Sequence, residues 1–164
     1  MFAVRGVLAF ALAALCVVRH YYGFHFLRTG FAIYAIADAT AVLVTAFWRA
    51  PPHGRAWLFV TDALAGYATG LAILARPILP EFSLVIVIGL RVGIGGVLLL
   101  MSATRFDGHA GQRLMAAAGM ASVLLAAALF AAPHAGLDWR LTIYLLVFGS
   151  LNFVLAHQLR LGRR

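Results

Sequence analysis

Residues 55–77 read RAWLFVTDALAGYATGLAILARP and residues 82–105 read FSLVIVIGLRVGIGGVLLLMSATR, with a short ILPE turn between them. Each arm holds about 20 mostly apolar residues, the length at which a helix crosses a hydrocarbon core. Each also holds one residue that hydrocarbon rejects, Asp62 in the first and Arg91 in the second. The two arms therefore predict a hairpin of membrane helices with a buried charge in each.

The rest of the 164-residue chain is of the same kind. It is 64% hydrophobic and only 11% charged, with a mean hydropathy of +0.97, which places it among polytopic membrane proteins rather than soluble ones. Similar apolar runs predict helices at about residues 2–22, 26–48, 114–132 and 141–159. With the first hairpin that makes six transmembrane helices in an all-α fold, a single domain of three helical hairpins at roughly 2–49, 55–105 and 112–160. The uncharged part of the first helix, Gly6 to Val18, is short, so Arg5 and Arg19 must reach outward or the bilayer must thin.

The net charge of +8 comes wholly from arginine. Those arginines cluster at helix ends, where they set topology, and form no stripe that would suit nucleic acid. Eight of them (5, 49, 55, 105, 113, 160, 163, 164) fall on the face bearing both termini and four (19, 28, 76, 140) on the other. That bias predicts cytoplasmic termini, with the tail Arg160, Arg163 and Arg164 facing anionic headgroups. A membrane-protein partner or a second copy would have to be met within the bilayer, because the loops are short.

The hairpins repeat. Arg5-Gly6, Asp62-Ala63 and Ala118-Gly119 fall 57 and 56 residues apart, and DATAVLVTA from Asp38 aligns with GGVLLLMSA from Gly95. A fixed period with two helices per unit implies copies that point the same way, around an axis along the membrane normal. Arg5-Gly6, Asp38-Ala39, Arg55-Ala56-Trp57, Asp62-Ala63 with Gly70 and Pro77, Gly96, and Gly119 with Pro133 give the chain a likeness to a known family. It resembles the HdeD-like proteins, six-helix bacterial inner-membrane proteins associated with acid resistance and stress. Ala39, Ala63, His20 and Arg91 depart from that pattern. The resemblance implies a protective membrane role and no catalytic or transport residue.

Within the helices, Gly66 and Gly70 follow Asp62 at four-residue steps, and Gly89 and Gly93 do the same in the next helix. Such faces let backbones approach closely and predict packing. Buried charges need partners, and matched depth predicts two pairs, Asp38 with Arg91 and Arg5 with Asp62. Tyr34 and Asn152 are placed to supply hydrogen bonds. Two readings stand for the charges: they fix the packing of otherwise featureless helices, or Asp38, Asp62 and Arg91 relay protons, ions or a small solute. His20, His25 and His134 fall on the face away from the termini, where acid would titrate them. No histidine pair has a metal-ligand spacing, Cys16 is a lone buried thiol, and no cofactor is implied. No nucleophile, metal-protease or phosphate-loop motif is present, so the expectation is a protein without enzymatic activity.

Overall fold

The computed structural model describes residues 2–22, 24–48, 56–75, 80–104, 109–132 and 137–161. These form six α-helices: α1 Phe2–Tyr22, α2 Phe24–Trp48, α3 Ala56–Ala75, α4 Glu81–Ala103, α5 His109–Ala131 and α6 Leu137–Leu161. Five carry stretches long and apolar enough to cross a membrane, whereas the apolar part of α1, Phe2–Val18, is shorter. The chain is an all-helical polytopic membrane protein. Helices suit that environment because each satisfies its own backbone donors and acceptors where no water is present. The hydroxyls of Thr45, Thr61, Thr69, Ser102, Ser122 and Ser150 do likewise, each donating to the carbonyl four residues back.

Two helices begin earlier than apolar content alone suggests. Helix α5 starts at His109 and α6 at Leu137, because polar residues at a membrane boundary can continue a helix into the headgroup layer. Helix α4 starts where Pro80, at φ −57° and ψ 148°, accepts the first helical bond from the Leu84 amide at 3.1 Å.

Each helix packs against the next in sequence, and α6 returns to α1, so the six close into a ring. Packing is closest at three seams, α2 on α3, α4 on α5 and α6 on α1. Small residues explain why. A Cβ on Gly66 would lie 2.8 Å from the Ala39 Cβ, and one on Gly96 would lie 2.9 Å from the Gly119 carbonyl oxygen. At the third seam, a Cβ on Gly6 would meet the Gly149 carbonyl oxygen at 3.1 Å. Gly70 likewise faces Ile36 and Ala32 on α2, while Gly89 and Gly93 face Phe130 and Ala126 on α5. The outward face is apolar, with Val7, Ile33, Phe47, Leu64, Leu71 and Leu124 all exposed, as a lipid-facing surface requires.

Inside the ring, apolar side chains form one large cluster that includes Leu12, Leu27, Phe31, Leu84, Ile88, Leu129, Leu141 and Leu145. A smaller one near the termini joins Ala103, Met115 and Leu155 with Phe2, Leu99 and Leu114. Along α1, Arg5 falls between Phe2 of the smaller cluster and Ala9 of the larger, and along α4, Arg91 falls between Ile88 of the larger and Ala103 of the smaller, so in register the ionic groups lie between the two.

Candidate functional site

Arg5, Asp38, Asp62 and Arg91 come together in the bundle interior, with 4%, 2%, 5% and 8% of their surfaces exposed. Arg5 grips Asp38 with two bonds, Nε to Oδ1 at 2.7 Å and Nη2 to Oδ2 at 2.8 Å. Arg91 donates from Nη1 to Oδ1 of Asp62 at 2.7 Å. Two longer contacts complete the circuit: Arg5 Nη2 to Asp62 Oδ2 at 3.4 Å and Arg91 Nη2 to Asp38 Oδ2 at 3.2 Å. Two cations and two anions thus alternate around a closed, neutral ring.

The pairs expected from depth, Asp38 with Arg91 and Arg5 with Asp62, are the two longer contacts, whereas the shorter ones join Arg5 to Asp38 and Arg91 to Asp62. Adjacency decides the matter. Helices α1 and α2 are neighbours in the ring, as are α3 and α4, whereas α1 with α3 and α2 with α4 meet only across its centre. The short bonds therefore lie within hairpins and the long bonds between them. Each of the first two hairpins carries one internal neutral pair, and the cross-contacts tie the two hairpins together.

The 57-residue period explains the shape of this site. Asp38 in α2 corresponds to Gly95 in α4 and Asn152 in α6, while Tyr34 corresponds to Arg91 and Phe148. A Cβ on Gly95 would come within 2.9 Å of Arg91 Nη1, so the missing side chain leaves room for the guanidinium. Gly66 serves the same group from α3, since its Cβ would lie 3.4 Å from Arg91 Nη2. Among the described residues the third hairpin brings no charge to the centre. It offers Ala118 in place of Arg5 and Asp62, and the Phe148 ring stands 5.7 Å from the Arg5 guanidinium carbon, a cation–π contact.

Beside the ionic ring is a cavity of about 30 Å³ lined by Arg5, Tyr34, Asp38, Arg91, Ser122, Tyr144 and apolar neighbours. That volume suits about one or two water molecules. Ser122 and Tyr144 share a 2.9 Å hydrogen bond on the wall formed by the third hairpin. Among the described residues every buried side-chain nitrogen and oxygen has a hydrogen-bond partner.

Of the supporting residues expected from sequence, Tyr34 lines this cavity, with its ring 5.9 Å from that of Phe31. Asn152 is buried, but its amide donates to the Phe148 carbonyl at 2.8 Å rather than to the charges. A helix carbonyl keeps a second lone pair beyond its ladder bond, and a polar side chain one turn on reaches it before any more distant partner. His134 lies outside the described residues, as do the side chains of His20 and His25 and the tail residues Arg163 and Arg164. Among the described residues no group of His, Cys, Asp or Glu has the arrangement of a metal site, and Cys16 is buried and forms no disulfide. Ser122, Tyr144, Phe148 and Gly149 are the participants that sequence reading passed over. Phe148 was reachable, because it stands one period beyond Arg91.

Comparison with protein-family models, with curated proteins and with solved structures finds no match for this chain.

Proposed function

We propose that the chain is a non-enzymatic protein of the bacterial inner membrane, with both termini cytoplasmic, that acts as a structural or protective element under acid stress. The observation that carries the structural part is the neutral ring of Arg5, Asp38, Asp62 and Arg91 between two apolar layers. A conduit would need polar groups continuing from the ring toward both faces. Here the residues about one turn along the helices from the ring are apolar, Phe2 and Ala9 on either side of Arg5 and Ile88 before Arg91. Buried ion pairs that are fully hydrogen-bonded contribute a defined arrangement more than net stability. Ala- and Leu-rich helices otherwise have little to set their rotation, and the ring supplies it.

The acid-stress setting rests on the HdeD-like hairpin motifs, and the orientation on the bias of arginines toward the terminal face. One observation favours the relay reading: the cavity beside Asp38 carries two tyrosines and a serine on its wall. The protective reading is tested by survival of cells with and without the chain after acid challenge. The expected result is higher survival with the native chain and with the neutral double variant Arg5→Gln/Asp38→Asn. Equal survival with and without the chain would overturn the acid-stress setting, and loss of protection in a folded double variant would favour the relay.

A further inference from the structure

On the lipid-facing side of the bundle, α5 and α6 line an open groove of about 470 Å³. Its walls are almost wholly apolar. Small residues, Ala121 and Ala128 on α5, form the hollow, and Ile143 and Val147 on α6 form the facing side. At one end stand Trp139 and Arg140, where the apolar span of α6 begins. That end is the one away from the chain termini. Trp139 is 59% exposed there, and an exposed indole at the edge of a span marks the headgroup level.

Arg140 is held in place. Its Nη1 donates to two carbonyls at the C-terminal end of α5, Ala128 in the last turn at 3.1 Å and Ala132 just beyond it at 3.0 Å. The partial negative charge of a helix C-terminus favours a cation at that position. The Trp139 ring lies 5.6 Å from the guanidinium carbon. A guanidinium is planar and rigid, so fixing Nη1 directs the Nε–Nη2 edge to the opposite side. That edge is the one that grips a phosphate with two parallel bonds. Among the described residues no acidic side chain lines the groove.

We propose that this groove is a binding site for one anionic phospholipid, with its phosphate on Arg140 and an acyl chain laid along α5 and α6. Trp139 to Val147 spans about 12 Å along the helix axis, enough for the upper half of an acyl chain. Tyr144 forms the groove floor on one side and the wall of the internal cavity on the other. A bound chain would thus press on Tyr144 and its bond to Ser122. The proposal stands independently of the acid-stress reading, because it depends only on the outer surface of the third hairpin.

Native mass spectrometry of the protein released from bilayer discs of mixed phosphatidylglycerol and phosphatidylethanolamine tests this. The native chain is expected to retain one phosphatidylglycerol in preference to phosphatidylethanolamine. Arg140→Gln should lower that retention about tenfold, equivalent to 1.4 kcal/mol. Ala128→Phe, which fills the hollow and leaves Arg140 in place, should abolish it. Ala128 is exposed, so this second variant decides the matter even if Arg140→Gln fails to fold for want of its bonds to α5. Equal retention of both lipids, or unchanged retention in a folded Ala128→Phe variant, would overturn the proposal. So would a second copy of the chain that occupies the groove and is lost with Ala128→Phe.

Discussion

Asp38→Asn is expected to destabilise the bundle by about 3–5 kcal/mol, seen as a lower thermal midpoint in detergent or as loss of folded protein. Asp38 accepts three bonds, two from Arg5 and one from Arg91. The substitution removes one negative charge from a neutral cluster and leaves two guanidiniums facing Asp62 alone. An uncompensated charge in the interior of a membrane bundle costs more than the interaction it has lost. The double variant Arg5→Gln/Asp38→Asn restores neutrality, so it should be less damaged than the sum of its single variants, with a coupling of about 2 kcal/mol. Arg91→Gln/Asp62→Asn should behave in the same way. Additive losses in both double variants would mean that the four groups do not act as one unit.

The second large effect is expected at the seam between α4 and α5. Gly96→Val and Gly119→Val should each lower stability by about 1–3 kcal/mol or more. A Cβ at position 96 would meet the Gly119 carbonyl oxygen at 2.9 Å, and one at position 119 would meet the Gly96 oxygen at 2.8 Å and the Leu100 amide nitrogen at 3.0 Å. Both obstacles are backbone, so relief requires the helices to separate, and the loss of packing would extend along the seam. Gly89→Ala provides the contrast on the same helix. Its added methyl would meet the outer atoms of the Phe130 ring at 3.1 Å and beyond, and Phe130 is 48% exposed and able to swing outward. Thermal unfolding of the three variants should separate the first two clearly from the third. Equal losses in all three would contradict the close-approach account.

The helices are legible in the sequence because hydrocarbon leaves few choices. An apolar run of sufficient length must satisfy its own backbone, and Pro80 and the loop prolines mark the breaks. That Asp38, Asp62, Arg5 and Arg91 need partners follows from the same reasoning. Which partner each takes does not, because depth along a helix says nothing of the helix's place in the ring. The closed arrangement puts α1 beside α2 and α3 beside α4, and that adjacency gives Arg5 to Asp38 and Arg91 to Asp62. One Arg and one Asp in each of the first two hairpins was the available signal. Asn152 shows the opposite difficulty: its position in the repeat points to the centre, yet a local backbone carbonyl captures it. Ser122 and Tyr144 carry no mark in sequence, since hydroxyls on membrane helices usually bond to their own backbone, and only their proximity in space makes them cavity walls.

The neutral ring as a packing clamp is tested most directly by proton flux into liposomes that contain the purified, folded protein, at neutral and at acidic external pH. The account predicts flux no greater than that of empty liposomes under both conditions. Flux that appears in acid and disappears in a folded Asp38→Asn variant would contradict it, and would make Asp38 a proton relay rather than part of a clamp.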